Sequence, residues 1–84
     1  MTVRHIRVDL HANAADLAGA AQCGVEVSPT ATGADVKRAL AVVHPRLEGL
    51  LASSVLATDR EYLSDRAEIG NESRLHLIPP VSGG

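Results

Sequence analysis

The chain has 84 residues, 45% of them apolar, a formal net charge of −2, and neither Phe nor Trp. A single domain of this size buries only about 60% of the surface that its unfolded chain exposes, so its core must be a modest one of Leu, Val, Ile and Ala. The basic residues are scattered and the chain is slightly acidic, which argues against a nucleic-acid partner.

Cysteine usage and hydropathy limit the compartment and the attachment of the chain. Cys23 is the only cysteine, so an internal disulfide and a thiolate metal cluster are both excluded. The chain opens without the charged and apolar regions of a signal peptide, and no apolar run approaches the roughly 20 residues of a membrane span. We therefore expect a cytoplasmic protein that is not attached to a membrane.

The first third of the chain predicts two strands. Residues 3–10 alternate between apolar and polar, which is typical of a half-buried strand. Residues 12–21 are rich in Ala but interrupted by Gly19, which favours a connection with one helical turn over a full helix. Residues 23–27 alternate again and predict a second strand, antiparallel to the first and ended by Pro29.

The middle of the chain predicts the main helix, over residues 33–44. Thr32 is a good N-cap, and Asp35, three residues on, favours the positive end of a helix dipole. Val36, Leu40 and Val43 recur at helical spacing. Pro45 either ends this helix or starts a short second one, after which Leu47, Leu50 and Leu51 return the chain to the core.

The last third predicts further strands and turns. We expect a strand over 54–58, a short strand over 61–63, turns at 64–66 and 70–73, and a last strand over 74–78. Ile69 is expected to be buried, and Leu75 and Leu77 to face the same way. This β-β-α-β-β order predicts an α+β fold, with one sheet packed on one helix.

The final residues predict an extended tail over 79–84, separate from a folded domain over 1–78. Pro79 and Pro80 fix φ and lack a backbone N–H, so the sheet should stop there. Gly83 and Gly84 have no Cβ and can enter a channel too narrow for other residues. The α-carboxylate of Gly84 must be activated before it reacts, typically as an acyl-adenylate made with ATP, so a separate enzyme is implied.

Residues 75–84, Leu-His-Leu-Ile-Pro-Pro-Val-Ser-Gly-Gly, resemble the C-terminus of the small subunits of molybdopterin synthase (the MoaD family). These are ubiquitin-like β-grasp sulfur carriers that end in an apolar strand, Pro-Pro-Val, a small residue and Gly-Gly. The related ThiS-type carriers of the thiamin pathway and ubiquitin share Gly-Gly but generally lack the Pro-Pro-Val spacer. The resemblance implies a mixed sheet of four to five strands packed on one main helix, with the last strand central beside the first.

The resemblance also implies a function, that of a sulfur donor in molybdenum cofactor biosynthesis. A MoeB-type, E1-like adenylyltransferase would use ATP to adenylate Gly84, and sulfur from a persulfide would convert it to a thiocarboxylate. The thiocarboxylate would then serve a pterin precursor inside a MoaE-type large subunit. The residues expected to bind these partners are Gly83, Ser82, Val81, Pro80, Pro79 and Ile78. Strand alternation is equally consistent with a core contact for Ile78.

No other pattern in the sequence predicts catalysis. The four histidines, at positions 5, 11, 44 and 76, lack metal-ligand spacing, so we expect surface or structural roles and no bound metal. Cys23 alternates with Val25 and Val27, which favours a core role. Ser53 and Ser54 lack a nucleophile motif, and no phosphate-binding loop is present. We expect a domain that binds no cofactor and is not an enzyme alone.

Two alternatives stay open at this stage. A carrier for another pathway, such as thiamin, cysteine or a secondary metabolite, would share the tail chemistry and differ in its sulfur acceptor. A ubiquitin-like modifier joined to lysines through Gly84 would be a protein tag. The chain also departs from the MoaD pattern at the turn 71–74, at His76 and Ile78, and at the pair Val55 and Leu56.

Overall fold

The computed structural model describes residues 2–80, which form a sheet of five strands with the last of these strands at its centre. Its elements are β1 (Arg4–Leu10), α1 (Asn13–Ala18), β2 (Gln22–Val27), α2 (Gly33–Val43), a 3-10 turn (Pro45–Leu47), α3 (Glu48–Leu51), β3 (Val55–Ala57), β4 (Tyr62–Leu63) and β5 (Arg74–Ile78). The strand order is β2-β1-β5-β3-β4, with β1 and β5 parallel and the other pairs antiparallel. The predicted α+β class and the central last strand are confirmed.

Helix α2 begins after Thr32, the N-cap that the sequence predicts, and Asp35 completes a capping box with it. The Asp35 backbone N–H donates to Thr32 Oγ1 at 3.4 Å, and the Thr32 backbone N–H donates to Asp35 Oδ2 at 3.0 Å. The hydrogen bond from the Thr32 backbone is the largest cause of a lowered pKa at Asp35. The next two helix N–H groups, of Gly33 and Ala34, donate to the carbonyls of residues 67 and 65 at 2.9 and 3.0 Å. The loop before β5 is thereby fixed to the start of the helix.

The core lies between α2 and one face of the sheet. Among the described residues, the core cluster of buried apolar side chains consists of Ile6, Val8, Leu10, Ala14, Val25, Val27, Ala31, Val36, Leu40, Leu47, Leu51, Leu56, Ile69, Leu75 and Leu77. They include alternate residues of β1, β2 and β5, because successive side chains of a strand point to opposite faces. The predicted burial of Ile69 and the shared face of Leu75 and Leu77 are confirmed.

Several helices and strands differ from the prediction in length but not in type. Helix α1 has six residues, which is between one and two turns, and it ends at Gly19 in a left-handed conformation (φ 72°). The main helix ends at Val43, one residue early, and Pro45 starts the 3-10 turn that continues into α3. Strands β3 and β4 are shorter than predicted, with three and two residues.

Within residues 2–80, no helix has the length and apolar character needed to cross a membrane.

The contact between Gly33 and the loop before β5 generates a stability prediction. A Cβ at Gly33 would lie 2.6 Å from the backbone oxygen of Ser64 and 3.3 Å from the Cα of Asp65. Backbone must therefore move to admit Gly33→Ala, and we expect the free energy of unfolding to fall by about 1 to 3 kcal/mol. Urea denaturation at neutral pH measures this change.

The matched control is Gly49→Ala, in α3, where an added Cβ meets no atom within 4 Å. Alanine has the higher helix propensity, so this variant should be neutral or more stable by up to about 1 kcal/mol. Equal stability of the Gly33 and Gly49 variants would show that the helix start tolerates a side chain.

Candidate functional site

Strand β5 has a paired strand on each side, and His76 and Leu77 are paired with both of them. It pairs with β1 from Arg74 to Leu77 and with β3 from His76 to Ile78. The pairing with β1 is bounded by two further hydrogen bonds, from Arg7 N–H to Ser73 O at 2.9 Å and from His11 N–H to Leu77 O at 3.3 Å. The segment that precedes the predicted tail is therefore fixed at the middle of the sheet.

The predicted partner-binding residues begin where β5 ends. Ile78 is half-buried, Pro79 is buried and Pro80 is exposed. Pro79 therefore packs against the domain, and exposure begins one residue beyond the predicted boundary. The remaining predicted site residues, 81–84, which include the acyl residue Gly84, lie outside the described residues. Their roles, and the division of the chain at 78, stay predictions.

Ile78 belongs to an apolar patch on the face of the sheet that α2 leaves open. Its side chain points away from the core face of Leu75 and Leu77, so it is not a contact of the main core. It lies opposite Val55, which is 43% exposed, and it lines one shallow pocket together with Tyr62, which is 73% exposed. We call Val55, Tyr62 and Ile78 the open-face patch. The sequence does not identify Val55 and Tyr62, because strand alternation alone does not say which face is covered.

A charge cluster occupies the same open face, next to the patch. Arg7 on β1 and Arg74 on β5 lie opposite each other in the sheet register. Without a neighbouring anion, their two positive charges would repel each other and destabilise the pairing. Asp9 offsets this repulsion, because its Oδ1 accepts from Arg7 Nε at 3.1 Å and its Oδ2 from Arg74 at 2.7 and 2.9 Å. Burial raises the pKa of Asp9, but the hydrogen bonds and charges of the two arginines outweigh that effect and lower it; Asp9 in turn raises the pKa of Arg74.

His76 extends this cluster towards the β3–β4 hairpin. Its Nε2 lies 2.7 Å from Asp59 Oδ1, and this hydrogen bond is the largest cause of a lowered pKa at Asp59. Its Nδ1 lies 3.1 Å from His11 Nε2. The two histidines are 65 positions apart in the sequence, and they meet because β1 and β5 are parallel neighbours. Sequence spacing carries no signal for this contact.

The polar side chains of the open face are joined to one another across the sheet. Within residues 2–80, no group of three or more His, Cys, Asp or Glu side chains is placed to hold a metal ion. Cys23 is half-buried, and burial raises the pKa of its thiol, which keeps it protonated and weakly nucleophilic. What this part of the molecule offers is a rigid support and an open apolar patch beside the start of the predicted tail.

Comparison with known proteins finds a matching family model, similar sequences and similar folds. The model of the ThiS family matches residues 8–84. The molybdopterin synthase sulfur carrier subunit of Arabidopsis thaliana is 33% identical over 94% of this chain and 82% of its own length. The protein of the same name in Chlamydomonas reinhardtii is 27% identical over 94% of this chain and 98% of its own length. The crystal structure of the Haloferax volcanii small archaeal modifier protein 1 superposes with a TM-score of 0.81 at 28% identity, covering 93% of this chain and 99% of that one.

The Asp9 contacts generate a pH-dependent stability prediction. Asp9→Asn removes the carboxylate between Arg7 and Arg74, and we expect the free energy of unfolding to fall by about 0.5 to 1 kcal/mol at neutral pH. The pKa of Asp9 is lowered on folding from an ordinary value of 3.8. Its stabilisation is therefore complete above that value and is lost as the pH falls through the folded pKa. Urea denaturation from pH 7 to pH 2 should show the two stabilities converging in acid.

The control for this comparison is Glu26→Gln, because Glu26 pairs with His5 only at the exposed surface, at 3.6 Å. This variant should match the parent chain at neutral pH. A difference between Asp9→Asn and the parent that stayed constant down to pH 2 would contradict a role for the carboxylate charge.

Proposed function

Since this chain belongs to the ThiS family, we propose that it is a sulfur carrier of the molybdopterin synthase small-subunit type, with Gly84 as its acyl terminus. The observation that carries the proposal is the extent of the family match, which runs through the predicted tail to Gly84. Two curated relatives that bear the sulfur carrier name align with 94% of the chain.

The position of β5 supports this proposal physically. A terminus that two enzymes handle in turn needs a support that does not unfold when the terminus is bound. Leu75 and Leu77 are 0% exposed, and β5 has a hydrogen-bonded neighbour on each side, so release of the strand would open the core. The rigid pair Pro79 and Pro80 reduces the conformational entropy lost when the following residues enter a channel.

In the proposed chemistry, the domain carries the reacting group and its partners supply the catalysts. An E1-like adenylyltransferase converts the Gly84 carboxylate to an acyl-adenylate with ATP. The outer sulfur of a persulfide donor then displaces AMP and forms an acyl disulfide, and a thiol cleaves its S–S bond, which releases the thiocarboxylate and leaves the donor in a disulfide. The thiocarboxylate is ionised at neutral pH and is a soft nucleophile. The large synthase subunit binds the loaded end, the thiocarboxylate sulfur bonds to a pterin precursor, and water hydrolyses the acyl–sulfur bond to regenerate the carboxylate. Gly83 and Gly84 suit both channels because neither has a Cβ.

The open-face patch is the surface that we assign to the large subunit. Val55, Tyr62 and Ile78 lie beside the point at which the chain leaves β5, so a partner that binds the tail also reaches them. Exposed apolar patches rimmed by polar residues mark protein interaction sites, and Tyr is one of the residues enriched in them. The neighbouring charge cluster around Asp9 would form its polar rim.

The similarity to small archaeal modifier protein 1 favours a second candidate, a ubiquitin-like modifier. The two functions share activation of Gly84 and differ in the attacking group. Sulfur attack yields a thiocarboxylate, whereas attack by a lysine amine yields an isopeptide bond. Incubation of the chain with its activating enzyme, ATP and a sulfide source separates them by intact mass. Exchange of one oxygen for sulfur supports the carrier, and a ladder of conjugates supports the modifier.

Removal of Gly84 should abolish activation and leave the domain folded. The variant loses the acyl residue, while the core cluster identified within residues 2–80 lies before position 78 and is untouched. Intact mass after incubation with the activating enzyme measures activation, and circular dichroism measures folding. Gly49→Ala, which changes a glycine far from the tail, should be activated normally. Full sulfur loading of a chain that lacks Gly84 would refute its assigned role.

Ile78→Ser should weaken binding of the large subunit. Loss of a central interface side chain typically costs about 1 to 2 kcal/mol, which corresponds to a Kd about 5- to 30-fold higher. Isothermal titration calorimetry with the purified large subunit measures the change. The matched control is Leu17→Ser, an exposed leucine on α1, outside the open face. If the Ile78 and Leu17 variants bind equally well, the open-face patch is not the interface.

A further inference from the structure

Strand β2 forms one edge of the sheet, and its outward backbone groups can be identified from the register. β2 pairs with β1, and among the described strands it has no second neighbour. The Leu10 N–H donates to Ala21 O at 2.8 Å, which sets the phase of the antiparallel ladder. Since hydrogen-bonded and non-hydrogen-bonded pairs alternate, Gln22, Gly24 and Glu26 turn their N–H and C=O groups away from β1.

This edge has few of the features that protect free edges in other sheets. Folded proteins block edge strands with proline, lysine, bulges or very short strands. The opposite edge, β4, has only two residues, whereas β2 has six, contains neither proline nor lysine, and has Glu26 as its one charged residue. At the centre of β2, Gly24 has no side chain, and a Cβ added there would meet no atom within 4 Å.

A groove lined by both apolar and polar side chains runs beside the same edge. It lies between β2 and α2, has a volume of about 560 Å³, and is lined by His5, Gly24, Val25, Glu26, Ala39, Val42 and Val43. Val42 is 80% exposed and Val43 is 47% exposed, so the C-terminal half of α2 presents two adjacent valines next to the edge. Unpaired backbone groups and exposed apolar side chains therefore occur together at this margin.

We propose that β2 pairs with β2 of a second copy of this chain, forming a continuous ten-stranded sheet about a twofold axis at Gly24. Antiparallel pairing centred on Gly24 places Gln22 opposite the partner's Glu26, and the reverse. Gln22, Gly24 and Glu26, whose backbone groups point outward, then each have a partner in the second copy. Each of these three pairs exchanges two hydrogen bonds, so six hydrogen bonds join the two strands. A shift of two residues in either direction leaves only two such pairs, so the register is defined.

We call the contact between the two β2 strands the seam. The side chains on both faces of the sheet at the seam are compatible with this register. On the open face, each Glu26 meets the uncharged amide of Gln22 rather than another carboxylate, and the two glycines meet at the axis. On the core face, Cys23 lies opposite the partner's Val25 in a non-hydrogen-bonded pair, where side chains approach closely. The axis also places both α2 helices on one side of the sheet, with Val42 and Val43 of each beside the seam.

Charge changes at Gln22 and Glu26 test this register. Gln22→Glu places two like-charged pairs across the seam, and we expect the dimer Kd to rise about 2- to 30-fold. The double variant Gln22→Glu, Glu26→Lys creates two opposite-charge pairs and should restore or exceed the parent affinity. Sedimentation velocity of the full chain at low ionic strength, from micromolar to millimolar concentration, measures these values.

Two exposed positions away from the seam supply matched controls. Asn71→Asp and Glu48→Lys repeat the two charge changes in the turn before β5 and on α3, and neither should alter the Kd. Hydrogen exchange adds an independent readout, because the amide of Gly24 should exchange more slowly as the dimer forms. These measurements need no activating enzyme, so they are independent of the proposed sulfur chemistry.

Three results would overturn the proposal. The first is a chain that stays monomeric at millimolar concentration. The second is a dimer whose Kd does not respond to the Gln22 and Glu26 changes, because it would use another face. The third is a monomer whose Gly24 amide is protected only when a synthetic Val-Ile-Val-Ile peptide is added, which would assign the edge to an extended apolar partner.

Discussion

The parallel pairing of β1 with β5 is the constraint on which the rest of the structure depends. Two parallel neighbours cannot be joined by a tight turn, so the chain between them must cross over one face of the sheet. Helix α2 lies in that crossover and covers the face that carries Leu75 and Leu77. The pairing of β1 with β5 therefore determines which face of the sheet carries the core, and it also places the segment before Pro79 at the centre of the sheet.

The two faces of the sheet have different roles. The covered face holds a core of aliphatic side chains, which suits a chain without Phe or Trp. The open face carries polar and partly exposed side chains, and there Asp9 allows Arg7 and Arg74 to lie opposite one another. Because this face is not needed for the core, its patch around Ile78 is available for a partner.

A carrier of this design separates stability from reactivity. In the proposed function, the folded domain would contribute position and recognition, while Gly84 would carry the reacting group to the active sites of other proteins. The seam proposed at β2 lies at the margin of the sheet, and β1 separates it from β5. Self-association there and partner binding beside β5 would use different surfaces, so one need not block the other.

The sequence alone determined the features that depend on neighbouring residues. Alternation identified the strands, the Thr32 and Asp35 pair located the start of α2, and Pro79 with Pro80 marked the end of the last strand. The resemblance of residues 75–84 to a known carrier family supplied the central position of the last strand, beside the first, and the proposed chemistry. The tertiary structure decided which face of the sheet is covered, and hence that Val55 and Tyr62 accompany Ile78. It also brought His11 to His76 and left β2 at an edge. These features join residues far apart in the chain, and local periodicity carries no information about which strands become neighbours.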